Sequence, residues 1–344
     1  MNTNASRWMR YMIAVASHYG GPDLLYRWIT GAGLVVLMLH RVRDEPDPFP
    51  LSISRSSLEQ LLAWLHERDA LSSLDDGLHA LRRGSGGGPV RYAITLDDGY
   101  HDNLQLLSRK LRNMPAVIYV ATSHVGRDPI WAYRLVHAVR SRRRDQLDLA
   151  ELGLGWFDLS DPGERDRLFA VLPPRLKRFP AWQVDSWVDA IGDRLEARPG
   201  PVTPEMLDWD EVRQLHSRGI QIGGHTHHHA MLSRLDDAAA EVEITASQRA
   251  IAGEVGVPPR HFAYPNGGQG DFGPRDVELV RRAGFMTAVT TIEGINRSDA
   301  DPYRLRRFNV HETRFHGPFG KLSKALFFSE TSGMLGWVRG LRAA

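Results

Sequence analysis

The sequence predicts an α/β protein built on a parallel sheet, either open or closed into a barrel. Three observations support this fold class. Short apolar runs alternate with stretches of helical periodicity, the 344 residues include 42% hydrophobic residues and can bury a large core, and the polar motifs follow the ends of apolar runs. Parallel sheets and barrels place their functional sites at such strand ends, so the three observations agree.

Six apolar runs are predicted to be buried parallel strands, because each is short and continuous. In chain order they are residues 34–39, 92–96, 116–120, 220–223, 261–264 and 286–290. Five stretches with helical periodicity lie around and between them, at 57–71, 100–111, 204–218, 238–253 and 276–283. The glycine-rich segment 84–89 is interpreted as a linker, because it does not follow a strand as a phosphate-binding loop would.

The segment 131–204 differs from the rest, with an arginine run at 140–144, several tryptophans and prolines, and no strand-like run. It is typical of a helical insertion, which we place over the mouth of a barrel. A solvated helix face explains the arginine run better than a phosphate or anionic glycan does. We predict an N-terminal helical segment at 1–30, a main domain at 31–320 that carries the insertion, and a C-terminal amphipathic tail at 321–344.

Charge and composition limit the partners. Lys and Arg number 43 and Asp and Glu 41, so a net charge near +2 gives no reason to expect nucleic acid as a partner. Cysteine is absent, and a metal would therefore need histidine and carboxylate ligands. No secretory signal pattern is evident, which predicts a cytoplasmic protein. Basic and aromatic segments at 8–27 and 321–342 could contact the inner face of the membrane, although helices packed on the domain surface fit them better.

Two motifs far apart in the chain together supply the ligands of a hydrolytic metal site. Asp97 and Asp98 follow one predicted strand, and His225 and His229 follow another. A catalytic zinc-like ion uses about three N/O protein ligands and keeps a place for water, which Asp98, His225 and His229 would satisfy. A spacing of four residues puts both imidazoles on one side if the chain turns helically there. Asp97 is then free to act as a base.

At these residues the chain resembles the polysaccharide deacetylases, the NodB-homology or carbohydrate esterase 4 family. T-L-D-D-G-Y at 95–100 is similar to the family's T-F-D-D-G-Y motif, H-T-H-H-H at 225–229 to H-T-x-x-H, and F-A-Y-P-N-G at 262–267 to F-x-x-P-x-G. The resemblance covers about residues 34–310. It implies a distorted (β/α)7 TIM-like barrel, a divalent metal held by Asp98, His225 and His229, and Asp97 as the general base.

The resemblance also implies the remaining catalytic roles. The C-terminal L-x-H motif that carries the general acid in most members is not found, but V-L-M-L-H-R-V at 36–42 looks like the start of the permuted deacetylases, which predicts His40 as the acid. The backbone N–H of Asn266 would stabilise the oxyanion. Many members orient the base with an arginine in the third motif, where this chain has Ala263. We predict Arg307 as the substitute, with a surface salt bridge as the alternative.

Three aromatic residues, Tyr264, Trp209 and Trp131, are candidates for stacking on a sugar at the mouth, and the alternative for each is a place in the core. The predicted reaction is metal-dependent N-deacetylation of an amino sugar in a polysaccharide or its lipid-linked precursor, as in exopolysaccharide biosynthesis, with release of acetate. The metal would be zinc, or else cobalt, manganese or nickel. Alternatives are an O-acetyl esterase, another amide or ureide hydrolase on this fold, and an inactive glycan-binding protein.

Overall fold

Seven parallel strands form a nearly closed barrel in the computed structural model, which describes residues 3–21, 31–83, 90–108, 111, 114–198 and 205–335. The barrel strands are β1 (Gly33–Leu39), β2 (Val90–Leu96), β3 (Ala116–Val120), β4 (Gln221–Gly224), β5 (His261–Ala263), β6 (Thr287–Val289) and β7 (Arg307–Asn309). Around them lie the helices α1 (Thr3–Gly20), α2 (Arg55–Glu67), α3 (Leu74–Arg82), α4 (Trp131–Arg140), α5 (Pro162–Leu176), α6 (Ala181–Arg194), α7 (Trp209–Ser217), α8 (Asp237–Val255), α9 (Pro274–Arg282) and α10 (Lys324–Thr331). The predicted α/β barrel is confirmed.

Neighbouring strands in the barrel follow the order of the chain. The order is β7-β1-β2-β3-β4-β5-β6, and every pair is parallel. The gap between β6 and β7 is narrowed by a parallel bridge from Val289 to Leu305, beside which the Thr290 N–H donates to the Leu305 carbonyl at 2.8 Å. All seven carboxyl ends therefore meet at one end of the barrel, the end that carries sites in folds of this kind.

The alternation of β1 shows how the barrel is filled. All seven residues of β1 are buried. Val35, Leu37 and Leu39 belong to the layer between the strands and α2, whereas Leu34 and Val36 face the barrel interior. Helix α3 packs against the interior residues. A continuous apolar run is therefore needed here, because both faces of the strand are covered.

The six strands predicted from the sequence are present within two residues of their expected bounds. Two helix predictions were wrong in part. Residues 100–111 do not form an α-helix but a 3-10 helix, His101–Leu107, and α7 begins only at Trp209, where Asp208 caps it in a capping box with Glu211. The expected start at 204 lies outside the described residues. Strand β7 was not predicted.

The insertion forms its own small core. Helices α4, α5 and α6 surround an antiparallel ribbon, Gln146–Asp148 with Trp156–Asp158, so the expectation of no strand was wrong. Its core is apolar and includes Leu135, Phe157 and Leu172. Residues 199–204 lie outside the described part, as do 1–2, 22–30, 84–89 and 336–344, and the predicted domain bounds stay a prediction. Among the described helices, none is long and apolar enough to span a membrane.

Candidate active site

Three metal-ligand side chains converge at the carboxyl ends of β2 and β4. One ligand atom from each of Asp98, His225 and His229 lies within 4.8 Å of the others. The Asp98 Oδ1 atom is 3.3 Å from Nε2 of His225 and 3.3 Å from Nε2 of His229. The structure thus brings together the three residues that the sequence predicted as ligands.

The two histidines do not lie on a helix, so that part of the prediction was wrong. Residues 225–231, here called the histidine loop, have no regular structure, and two of them adopt left-handed backbone conformations, Thr226 at φ 59° and His229 at φ 54°. These two positions turn the loop so that both imidazoles approach Asp98. Non-glycine residues favour such backbone only where the surroundings enforce it.

The histidine loop is held by Glu243 of α8, which sequence analysis missed. Its Oε2 accepts hydrogen bonds from the backbone N–H groups of His227 and His228 at 2.9 and 2.8 Å, and its Oε1 accepts one from Nδ1 of His228 at 2.7 Å. Glu243 is buried. Its position on the inner face of a predicted helix is the one signal that pointed to it, since buried acids usually have a defined partner.

The chemistry of the three side chains fits a divalent cation. Nδ1 of His225 donates to the Ala263 carbonyl at 2.8 Å, which leaves Nε2 with a free lone pair facing Asp98. The Asp98 Oδ1 atom is buried and accepts no hydrogen bond within the described residues. Burial raises the pKa of Asp98, but the two imidazoles outweigh it and hold that pKa well below the usual value. Lone pairs of N and O atoms that face one another in a buried site need a cation between them.

Asp97 points instead to β7, where Arg307 binds it through both guanidinium nitrogens. The Nη1 and Nη2 atoms donate to Oδ1 and Oδ2 at 2.7 and 2.6 Å, and Nε donates to the Thr290 carbonyl at 2.7 Å. Arg307 is 0% exposed, so the alternative of a surface salt bridge was wrong. Burial raises the pKa of Asp97, but Arg307 more than offsets this, and the pKa lies below its usual value. Asp97 is therefore an ionised carboxylate.

His40 and Asn266 lie at the same cavity as the ligands. The amide of Asn103 donates to the His40 carbonyl at 2.8 Å, and the ring Nδ1 of His40 is buried without a hydrogen-bond partner among the described residues. Burial lowers the pKa of His40, and the charges of Asp98 and Asp97 offset this only in part. Asn266 has a left-handed backbone, φ 58°, and no acceptor in the described chain takes its N–H.

The cavity has a volume of about 340 Å³, within the usual range for ligand sites of about 300–1,000 Å³. Trp131, at the start of the insertion helix α4, forms part of its wall. The other two aromatic candidates were wrong. Tyr264 is 1% exposed and stacks on Phe272 with ring centroids 4.1 Å apart, because it faces the layer beneath α9. Trp209 packs against the outer core at the start of α7.

A buried cation next to His40 was also missed. Arg41 lies between the rings of Tyr100 and Tyr133, with its guanidinium carbon 4.6 and 4.5 Å from the two centroids. It donates to Asp102 at 2.6 Å and to Glu205 at 2.7 Å. Arg41 therefore ties the turn after β1 to the segment after β2 and to the insertion. Sequence alone gave no signal, because these partners are distant in the chain.

Comparisons with known proteins identify a related family and related folds. The family model for polysaccharide deacetylase matches residues 156–288, which include the histidine loop and the F-A-Y-P-N-G motif. Among solved structures, the chain is similar to the Streptococcus pyogenes deacetylase PplD in complex with acetate, at 14% identity and a TM-score of 0.54 over 85% of this chain and 97% of that chain. It is also similar to IcaB from Ammonifex degensii, at 19% identity and a TM-score of 0.52 over 82% of this chain and 93% of that one.

A polysaccharide deacetylase from Bacillus cereus is similar as well, at 15% identity and a TM-score of 0.52 over 87% of this chain and 69% of that one. At these identities the likeness to solved structures shows the fold. A search of curated proteins finds no significant match. The match over residues 156–288 and the three ordered motifs confirm the resemblance to the polysaccharide deacetylases, and with it the prediction of a hydrolase that acts on an amide carbon–nitrogen bond.

Proposed function

We propose that the protein is a metal-dependent N-deacetylase, which hydrolyses the acetamido group of an amino sugar in a polysaccharide or in its lipid-linked precursor and releases acetate. The convergence of Asp98, His225 and His229 next to an ionised Asp97 carries this proposal. Four such groups at the carboxyl end of a parallel barrel are the components of a hydrolytic site. Zinc is the metal we expect, with cobalt, manganese and nickel as alternatives.

A bound divalent ion would lower the pKa of water to about 7 and polarise the acetyl carbonyl oxygen. The residues of the chain supply the rest. Asp97, ionised and fixed by Arg307, accepts a proton from the attacking water. His40 donates a proton to the leaving amine, and the Asn266 N–H stabilises the negative charge on the carbonyl oxygen. Trp131 offers an apolar face to the sugar ring.

The proposal is tested by metal analysis of the purified protein coupled to acetate release. The substrates are N-acetylglucosamine oligomers, O-acetylated xylan, and small amides and ureides. We expect acetate from the oligomers alone, loss of activity with a chelator, and recovery when zinc is returned. Release of acetate from xylan would indicate an O-acetyl esterase instead. Hydrolysis of small amides or ureides would indicate a different amidohydrolase. Glycan binding without turnover would indicate an inactive binding protein.

Two matched variants assign the carboxylates. Asp98→Asn should lose both metal and activity, whereas Asp97→Asn should keep the metal and lose turnover, because only the first is a ligand. The conservative control is Asp299→Asn, in the loop before β7 and away from the cavity. Equal metal loss in both site variants would show that the two carboxylates do not divide their roles.

We also propose that the protein works in the cytoplasm, on precursors at the inner face of the membrane. Support comes from α1 and the loop before α10, which expose Trp8, Met9, Met12, Tyr19 and Phe319 by 45–73%. Aromatic rings next to solvent favour a membrane interface. Flotation with anionic phospholipid vesicles tests this, and the variant with Trp8→Ser and Met12→Ser should float less. Equal recovery of both proteins in the unbound fraction would refute it.

A further inference from the structure

The catalytic cavity continues into a second, smaller arm, and Trp131 lines both. We define the second arm by Lys177, Arg234, His124 and Asp185, which line it together with Phe179 and Val184 of the insertion. It shares Trp131, Lys177, His229 and Asn266 with the catalytic cavity. The second arm has a volume of about 20 Å³, enough for a small substituent and not for a sugar ring, so a sugar next to the one at the metal ligands could place only a small group past Lys177 into this arm.

Two cations of the second arm have no anionic partner in the described part of the protein. Lys177 follows α5 and lines the cleft, and no hydrogen bond or ion pair within the described residues engages its ammonium group. Arg234 ends the short 3-10 helix Leu232–Arg234, and no acceptor among the described residues takes its guanidinium protons. No acid lies within three residues of Lys177 in the sequence, whereas Asp236 and Asp237 follow Arg234 and are engaged as the cap of α8 and in an ion pair with Arg275.

The acids near the second arm are already engaged. Asp185, which lines it, accepts an ion pair from Arg134 at 2.6 Å. Asp271 and Asp98 act on Lys177 only at longer range, the Asp271 Oδ2 accepts the Gly268 N–H at 2.9 Å, and Asp98 faces the two imidazoles of the metal site. Burial lowers the pKa of His124, so this imidazole is neutral near pH 7 and neither adds to nor cancels the charge. Lys177 and Arg234 thus bring positive charge to the arm that no direct ion pair among the described residues neutralises.

We propose that the second arm binds an anionic group, a carboxylate or a phosphate, on the sugar unit next to the one that is deacetylated, with Lys177 and Arg234 as its partners. The inference rests on the proposed deacetylation in the first arm. Guanidinium and ammonium groups are the side chains that bind carboxylate and phosphate oxygens, and such bonds gain strength in a partly enclosed site. Trp131, which lines both arms, provides an apolar face on which the connecting sugar rests. The substrate is thus an acidic glycan, either a polymer with uronic acid units or a glycan phosphate.

The experiment compares three oligosaccharides that carry the same N-acetylglucosamine. The first is neutral, the second alternates it with glucuronate, and the third carries a phosphodiester at the neighbouring position. We expect kcat/KM for one of the two anionic substrates to exceed that for the neutral one by about tenfold or more, as a charged hydrogen bond provides. Whichever acidic substrate is preferred identifies carboxylate or phosphate. A preference for the neutral oligomer, or none, would overturn the inference.

Variants separate recognition from stability. Lys177→Met and Arg234→Gln should each reduce the ratio of acidic to neutral kcat/KM by about tenfold, and Lys177→Arg should restore most of it. Lys321→Met and Arg249→Gln, exposed residues outside both arms, are the matched controls. If Lys177→Met lowers the rate on the neutral and acidic substrates by the same factor, Lys177 has only a structural role and the inference fails.

Direct binding distinguishes failure of this inference from failure of the proposed function. Titration calorimetry of the same three oligosaccharides needs no turnover, so it reports on the second arm even if no acetate is released from any substrate. Wild-type protein should bind the acidic oligosaccharide more tightly than the neutral one, with an advantage that decreases as salt is added and disappears in Lys177→Met. Equal affinity for charged and neutral oligosaccharides would refute the anionic site whatever the catalytic result.

Discussion

Replacement of Arg307 by alanine tests the physical basis of the site most directly. Arg307 and Asp97 are 0% and 3% exposed at their side chains, and two hydrogen bonds of 2.7 and 2.6 Å join them. Removing one partner of such a pair leaves an uncompensated buried charge, at a cost of about 3–5 kcal/mol. The carboxyl can avoid that cost by taking up a proton, because burial raises its pKa once the arginine is gone.

Protonation of Asp97 removes the base. A protonated Asp97 cannot accept a proton from water, so kcat should fall by about 10²–10⁴-fold, the range that general base catalysis contributes. Metal content should stay at the wild-type value, because none of the three ligand side chains touches Arg307 in a hydrogen bond. The assays are acetate release at saturating substrate, metal analysis, and the free energy of unfolding from denaturant titration.

Two further variants make the experiment specific. Arg306→Ala removes the neighbouring exposed arginine, whose guanidinium donates to the Glu293 carbonyl at 3.4 Å, and should change neither stability nor turnover appreciably. The double variant Asp97→Asn with Arg307→Met removes both charges, and should recover stability while staying inactive. If Arg307→Ala kept activity within about threefold of the wild type, the reasoning about the base would be wrong.

Three other predictions concern the proposed general acid His40, the histidine loop, and Glu205, which binds Arg41. His40→Ala should lower kcat by about 10²–10⁴-fold with unchanged metal content, and near-normal turnover would end its role as the acid. Glu243→Ala should weaken metal binding by about tenfold, measured by competition with a chromophoric chelator, because the histidine loop loses its three bonds to that carboxylate. Burial raises the pKa of Glu205, but His137 and Arg41 bring it down to about 2 from 4.5, so its stabilising effect is complete above about pH 4.5 and is lost as pH falls towards 2. Glu205→Gln should therefore lower the free energy of unfolding at pH 7 and flatten its decrease in acid; parallel curves for variant and wild type would contradict this.

The sequence predicted those parts of the fold that depend on local pattern. The six predicted strands lie in short runs that are mainly apolar, and such runs need burial on both faces. Strand β7, Arg307–Asn309, has a single apolar residue between two polar ones, so no apolar run marks it. What makes an arginine suitable for a buried strand is Asp97, 210 positions away in the chain. Contacts of this kind become visible only when the barrel brings the strands together.

The site was predicted in its members but not in its geometry. The spacing of His225 and His229 indicated that both bind the same metal ion. The structure brings the two side chains together without the helical turn on which that argument depended. Likewise, an aromatic residue after a strand has no sequence feature that says which way it faces. Tyr264 faces the core because it packs in the apolar layer under α9. Trp131 faces the cavity because the insertion places it there. Local sequence therefore predicts chemistry better than orientation.

The backbone after β2 explains how adjacent carboxylates acquire different functions. The Asp97 N–H still donates to the Leu39 carbonyl at 2.9 Å, as in the strand, so its side chain points into the barrel towards β7. Asp98 and Gly99 then adopt left-handed conformations, φ 76° and 81°, and the chain turns towards β4. An extended continuation would put the two side chains on opposite faces of the sheet. The left-handed turn instead places both at the carboxyl end, one beside Arg307 and the other beside the histidines.

Gly99 should therefore matter to metal binding although it carries no ligand. An added Cβ would lie 3.0 Å from the Val120 side chain and would also meet the left-handed penalty of about 1–2 kcal/mol. Gly256, after α8, has a similar φ of 82° with nothing within 4 Å of an added Cβ, so Gly256→Ala bears the backbone penalty alone. Both variants should lose stability in urea, but only Gly99→Ala should displace Asp98 and lose metal affinity. Equal metal affinity in the two alanine variants would show that the turn does not position the ligand.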